Sequence, residues 1–432
     1  MTTLIKNCIR SLLLSALLMP AAQAAAPLVL EDAVALALAG NPSLAARQSR
    51  AQALAAVPAQ MATLPDPTLS LNALSYPTDT FSGTQEAMTQ QQIGIGLTLP
   101  FPGKLDLREQ AASSEAQAAG QDVAEQQLVL VRNVRTAWWS LFYLDRALDI
   151  VLHNQAWLRQ LNVIAQSRYS TGQGMQSDVL LAQVELSRLL ETEITLRAAR
   201  RNTAARLNAL LGRTAATPIT LPQEVNEDLP PISDDSGLVE LAQENRPLLA
   251  TRRKLLEAAQ ARTRLAEKDY YPDLKLGVAY GFRNGNNPNG SARADLASIT
   301  LGISLPLFAD SRQDQAVAQR QAERQQQEYE LQDSVLQVTA QIEQAQADYQ
   351  SAREQVSLFK TGLIPQAQQT VSAMRAAYQV NRVDFLNLVR AQITLYNYET
   401  QYWKTISSGW QALANLEAAV GAPLPAPKEK TQ

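Results

Sequence analysis

Two residue types are almost absent from this 432-residue chain, which has one cysteine and one histidine. A zinc site, a Cys–His nucleophile pair or a Ser–His–acid triad needs more of these residues, or better placed ones. No catalytic residue, metal site, cofactor or enzyme activity is expected. Charge of one sign is also lacking: 38 Lys and Arg oppose 41 Asp and Glu. A net charge of −3 leaves no electrostatic footprint for nucleic acid. No segment offers 18 uninterrupted apolar residues, so no transmembrane helix is expected. What the chain has in quantity is alanine interleaved with glutamine, which suits long, closely packed helices.

The first segment reads as an address. Lys6 and Arg10 precede a short apolar run, Ser11 to Met19, followed by Pro20 and the A-x-A pattern Ala22-Gln23-Ala24. This is the layout of a secretory signal peptide over residues 1–24. The run is far below the ~20 residues that span a bilayer. Cleavage removes Lys6, Arg10 and Cys8 but no acid, leaving 36 basic residues against 41 acidic and no cysteine. Such a chain can occupy an oxidising compartment without a disulfide framework.

The remainder is written twice. Asn41-Pro42-Ser43-Leu44 answers to Asn245-Arg246-Pro247-Leu248, and Pro65-Asp66 to Pro272-Asp273. GLTLPFPGK (Gly96 to Lys104) answers to GISLPLFAD (Gly302 to Asp310). Tyr169 to Gln183 aligns with Tyr378 to Gln392 without a gap, and Gly212 with Gly421. Matches in one order point to a tandem duplication. Unit one covers 25–213, a linker 214–236, unit two 237–421 and a tail 422–432.

Each unit has one order of periodicities. Two short helices (31–40 and 43–63; 237–245 and 247–269) precede two alternating runs. Leu69, Leu71 and Ala73 alternate with Thr68, Ser70 and Asn72; Ile93, Ile95, Leu97 and Leu99 alternate with Gln92, Gly94, Gly96 and Thr98. Unit two repeats this from Leu274 to Phe282 and from Ile299 to Leu305. Period-two alternation marks strands with two unlike faces, expected at about 68–76, 91–100, 274–282 and 297–307. Each is about as long as a tilted transmembrane β-strand of ~10 residues. A long helix follows, 104–169 and 311–378, then a return helix, 177–211 and 385–420. At ~1.5 Å per residue each long helix would run ~100 Å. Val123, Leu130, Val134, Ala137, Leu141, Leu144, Leu148 and Val151 form a heptad stripe with one polar exception, Gln127. Leu331, Val335, Val338, Ile342, Ala345, Tyr349, Ala352, Val356 and Phe359 form the second. Pro365 should kink or locally unwind its helix.

Four strands cannot close a barrel, and an open edge cannot face lipid. Three copies would supply a twelve-stranded β-barrel and a tube of twelve helices. The duplication, the L-P-x-P/F junctions after the strands and the two helix-turn motifs resemble the TolC-type outer-membrane efflux proteins over nearly the whole mature chain. PFPGK (Pro100 to Lys104) and PDP (Pro65 to Pro67) resemble the heavy-metal, CzcC-like branch.

That resemblance implies an α+β membrane protein, a homotrimer in the outer-membrane lipid of a Gram-negative bacterium, continuous with a periplasmic α-helical barrel. It implies a passive exit duct, heavy-metal cations as cargo, and two partners: a periplasmic adaptor (membrane fusion protein) and an inner-membrane RND pump. The helices 31–40 and 237–245, the linker and the tail would form an equatorial strap. The helix-turn tips that would meet the adaptor are Thr171, Gly172, Gln173 and Gly174, and Val380, Asn381, Arg382 and Val383; the glycines also simply permit a tight turn. The family's two constriction acids fall, counting from Tyr378, on Asn387 and Arg390, with Asp384 one turn earlier. This departs from the family. A ring of Arg390 would repel cations unless an acid pairs with it, and Arg390 also fits a solvated helix face.

Other readings stay open. The cargo could be drugs, other hydrophobic compounds or a type I secreted protein. The chain could be a periplasmic coiled-coil adaptor, although adaptors need one hairpin rather than two. His153 reads as a packed or surface residue, Trp138, Trp139 and Trp157 as helix packing, and Asp234-Asp235 as a linker pair. Asn289-Gly290-Ser291 fits a glycosylation acceptor only formally.

Overall fold

The computed structural model describes residues 27–232 and 237–424. The expected signal peptide, Asp234-Asp235 and the tail beyond residue 424 lie outside the described residues. In chain order the elements are α1 (Leu30–Gly40), α2 (Pro42–Ala55), α3 (Val57–Ala62), β1 (Thr68–Leu74), β2 (Gln90–Leu99), α4 (Lys104–Ser170) and α5 (Gln176–Leu210). Then come α6 (Leu238–Asn245), α7 (Pro247–Lys268), β3 (Leu274–Phe282), β4 (Leu296–Ile303), α8 (Gln313–Leu358), a π-helical turn (Phe359–Leu363), α9 (Ile364–Gln379) and α10 (Phe385–Val420). The chain forms two compact units, and neither is a sequence half. The sheet unit gathers Pro42–Val129, Ile232–Ala345 and the chain from Asn415; the helical unit gathers the chain to Asn41, Leu130–Pro231 and Gln346–Ala414.

In the sheet unit the four strands lie in the order β1-β2-β3-β4, each antiparallel to its neighbour. Alternation puts Leu69, Leu71, Ile95, Val278, Ile299 and Leu301 on one face, and all are exposed. The opposite face is lined with small and polar residues. Thr68 stands across from Gly96 and Ser70 across from Gly94. A side chain at Gly94 would come within 2.9 Å of the Ala279 Cβ, so strand contact there requires glycine.

Where β2 passes into α4, Lys104 is buried and its Nζ donates to Asp273 (2.9 Å) and the Tyr271 carbonyl (3.2 Å), with Asp269 at 3.1 Å. The Phe101 N–H also donates to Asp273 (2.9 Å), and the Phe101 ring stacks on Tyr271. Burial works to raise the Asp273 carboxyl, but the hydrogen bonds from Lys104 and Phe101 outweigh it and hold the group below its ordinary range. Below the sheet, Arg246 is buried against Glu125 (2.7 Å). Leu238, Leu249, Val338, Ile342 and Leu416 form the local core.

In the helical unit the heptad stripes are buried as their period requires. Val134, Leu141, Val151, Tyr349 and Val356 all sit in the core, while Gln127 on the sheet-unit part of α4 is exposed. Trp139 stacks on Trp410 with ring centres 5.2 Å apart, and Trp138 lies parallel to Phe142. The Trp138 indole donates to the Leu28 carbonyl. The irregular segment after α5 is fastened down by the Tyr349 hydroxyl to the Pro230 carbonyl (2.5 Å) and the Tyr402 hydroxyl to Glu227 (2.6 Å). Leu229 fills the notch at Gly409, where an added Cβ would meet it at 2.5 Å.

Several boundaries differ from the sequence reading. The helix expected over 43–63 is two helices, because Pro58 has no N–H for the carbonyl one turn back. The first strand ends at Leu74 rather than 76, since Ser75 takes φ +57°. The second runs Gln90–Leu99, a one-residue shift from 91–100. The fourth covers Leu296–Ile303 rather than 297–307. Ile303 pairs with Leu274, the first residue of β3, so Leu305 and Leu307 have no strand to pair with. The long helix expected over 311–378 begins at Gln313 and is interrupted by the π turn before Pro365, which absorbs the ring's clash with the preceding turn.

The clamp at Lys104 carries a pH signature. Asp273 sits lower in the folded chain than unfolded, so its contribution is present above the ordinary carboxylate range and lost as pH falls through the depressed value. Lys104→Ala is expected to destabilise the protein by about 2 kcal/mol near neutral pH, below the cost of a fully buried pair because Asp273 is partly solvated. Thermal melts in detergent should show the gap between variant and parent closing as pH falls below that range.

Candidate functional site: the helix-turn tips

At one end of the helical unit α4 turns into α5 and α9 into α10. Both turns have the same backbone chemistry. At the first, the Gln173 N–H donates to the Arg168 carbonyl (2.8 Å) and the Gly172 N–H to that of Tyr169 (3.0 Å). At the second, the Arg382 N–H donates to the Ala377 carbonyl (2.9 Å) and the Asn381 N–H to that of Tyr378 (3.2 Å). These are paired Schellman bonds, which require a left-handed residue after the helix. Gly172 (φ +72°) and Asn381 (φ +59°) supply it. Asn is the non-glycine residue that tolerates this region best. Thr171, Gly172, Gln173, Val380, Asn381 and Arg382 are exposed, and Gly174 and Val383 half-buried. The turns therefore present both sets of expected tip residues to their surroundings.

One side chain joins the two tips. Arg168 donates to the Tyr378 carbonyl (3.1 Å) and to Asn381 Oδ1 (2.5 Å). Its guanidinium lies over the Tyr378 ring at 4.5 Å. Tyr378 is buried edge-on against Phe385 in a core with Leu158, Leu161, Val179 and Leu388. Arg168 belongs to neither helix-turn motif in the sequence. Its only signal is that it precedes Tyr169, where the matched place before Tyr378 is Ala377.

Further along the same unit, Gln155 is buried and donates to Glu193 (2.8 Å), and Gln392 donates to Asn154 (2.7 Å). A hydrogen-bonded polar layer of this kind fixes helix register. His153 is exposed, with Nδ1 2.8 Å from the Asp149 carbonyl of its own helix.

Asp384, Asn387 and Arg390 recur every three residues at the start of α10 and are all exposed, while Phe385, Leu388 and Val389 between them are buried. The three share one polar face. Among the described residues no ion pair joins Asp384 to Arg390.

The sequence profile of the family described as outer membrane efflux protein matches residues 33–213 and 238–422. The chain belongs to the outer membrane efflux protein family. It is an outer-membrane protein, and its family is one of efflux channels. It is 25% identical over 403 residues to the cobalt-zinc-cadmium resistance protein CzcC of Cupriavidus metallidurans, covering 92% of this chain and 91% of that one. It is 24% identical over 329 residues to the outer membrane protein TolC of Escherichia coli, covering 72% and 66%. Among solved structures the fold matches CusC with a TM-score of 0.78 at 18% identity, over 91% of this chain and 92% of that one. It matches VceC of Vibrio cholerae at 0.77 and 20%, over 92% and 97%.

In this efflux-family chain Arg168 is expected to hold the two tips together. Arg168→Ala removes three hydrogen bonds, to the Tyr378 and Gln379 carbonyls and to Asn381, together with the ring contact, and distances between spin labels at Gln173 and Arg382 should lengthen and broaden. An unchanged distance distribution would show that the turns hold without it.

Proposed function

We propose that this chain is the outer-membrane exit duct of a tripartite efflux system, built by tandem duplication and closed as a trimer with a twelve-stranded β-barrel. The observation that carries this reading is a four-stranded sheet whose apolar face is bare and whose edge strands, β1 and β4, have no strand partner among the described residues. In hydrocarbon such edges must be paired, and lipid would cover the apolar face. The family match at residues 33–213 and again at 238–422 supports the duplication. The helices α4, α5 and α8–α10 would form the periplasmic tube. The exposed tips at Thr171–Gly174 and Val380–Val383 would receive a periplasmic adaptor that links the duct to an inner-membrane RND pump.

Heavy-metal cations are the proposed cargo, supported by the likeness to CzcC along nine-tenths of both chains. Deletion of the gene is expected to sensitise the cell to one or more of zinc, cobalt, cadmium, copper and silver salts while leaving resistance to hydrophobic drugs unchanged. Loss of drug resistance alone would overturn the metal assignment and leave the duct.

The polar face at Asp384, Asn387 and Arg390 would shape the periplasmic entrance. Replacing Arg390 by Ala is expected to raise the cation-to-anion permeability ratio of channels in planar bilayers. An unaltered ratio would remove Arg390 from the entrance and leave it on a solvated helix face.

A further inference from the structure

A cavity of about 240 Å³ lies inside the helical unit, where α4, α5 and α10 meet. Each helix lines it with residues three and four apart, so each turns one face to it. Asn154, Trp157 and Leu158 come from α4 and Leu189 from α5. Val389, Ile393 and Tyr396 come from α10. Leu158 and Val389 are buried in the core that also holds Tyr378 and Phe385. The walls are therefore apolar and aromatic. The space falls below the roughly 300–1,000 Å³ of drug-sized sites, so it suits one or two rings.

The polar groups at the cavity are mainly acceptors. Glu185 lines it from α5, with a side chain 14% exposed. Its ion partner is Arg188, one turn on at 2.7 Å, with a side chain 69% exposed. A pair three residues apart on one helix and open to water is weak. Arg159, next to Leu158, is engaged elsewhere, on Gln155 (2.9 Å). Gln392 donates its amide to Asn154 (2.7 Å), and among the described residues no donor meets its Oε1. Desolvation pushes the Tyr396 phenol up, so the ring stays neutral near pH 7. A desolvated ring is where a cation gains most from the π face.

The carboxylate is not inherited from the repeat. Aligning Tyr169 with Tyr378 sets Glu185 against Thr394 and Arg188 against Asn397. Glu185 is therefore no part of the duplicated packing pattern. It also sets this cavity apart from the other one that Trp157 lines, of about 160 Å³, whose charged residues are Arg168 and Arg375.

We propose that the cavity between α4, α5 and α10 binds small aromatic cations, aryl-alkylammonium ions of one or two rings. The ammonium takes the place of the Arg188 guanidinium at Glu185, and the rings lie against Trp157 and Tyr396. Gln392 Oε1 accepts a further N–H. Arg188 turns into water, where most of it already stands. An anion of the same shape would set like charge against Glu185. The occupant bridges α5 of one repeat to α10 of the other. The site is built within one protomer, so it depends neither on closure of the barrel nor on the cargo.

α-Naphthylmethylammonium is the probe, and α-naphthylmethanol is its neutral counterpart. Each is titrated calorimetrically into the whole protein in lipid nanodiscs, with empty nanodiscs subtracted. The amine should bind at least about tenfold more tightly than the alcohol, and Glu185→Gln should remove about that factor from the amine alone. Arg188→Ala should tighten the amine, because it removes the competing cation. Leu189→Trp fills the cavity from its wall and should abolish binding of both compounds; it decides the matter if Glu185→Gln fails to fold. Amine binding that survives both variants, or no saturable amine binding at all, would overturn the site. Equal binding of amine and alcohol would overturn the cation class. Weaker amine binding by Arg188→Ala would overturn the exchange at Glu185.

Discussion

The structure depends on one constraint, the hydrogen-bonding groups along the edges of a four-stranded sheet with an apolar face. In water that face is an exposed hydrophobic patch. In hydrocarbon the unpaired N–H and C=O groups of β1 and β4 would each cost several kcal/mol. Closure with further copies meets both demands at once, because it pairs the edges and leaves the apolar face to lipid. The glycine pairs on the other face serve the same end. They let strands approach at Gly94 and Ala279 and leave the face opposite the apolar one lined with small and polar groups.

The two halves of the chain share backbone chemistry more closely than side chains. Each tip uses the same pair of Schellman bonds, one on Gly172 and one on Asn381. Each return helix ends on a left-handed glycine set against the end of a short helix, Gly212 on Gly40 and Gly421 on Asn245-Arg246. A Cβ at either glycine would overlap backbone. Side chains that break the equivalence are found where the halves meet. Arg168 reaches the second tip, and its counterpart Ala377 reaches nothing comparable. Lys104 locks the joint between the hairpins, and its counterpart is Asp310.

Much of this was legible in the sequence because it follows from local periodicity. Alternation located the strands at Leu69–Ala73 and Leu274–Phe282, and steps of three and four located the buried stripes through Val134 and Val338. Pro365 announced its irregular turn. Strand ends were less legible because pairing decides them: alternation continues to Leu305, but β3 offers no partner beyond Leu274. Pro58 is a local signal too: it divides the periodic stretch 43–63 into two helices. The tip residues were found from the matched motifs. Arg168 was not, because its partners lie 210 residues away and no spacing rule connects them.

The central claim is that copies of this chain close one barrel in the membrane. Electron cryo-microscopy of the protein in lipid nanodiscs tests it most directly. The account predicts three copies around one axis, with twelve strands in an unbroken ring inside the lipid and helices continuing from one side. A monomer in lipid, or a ring left open between β4 and the next β1, would contradict it.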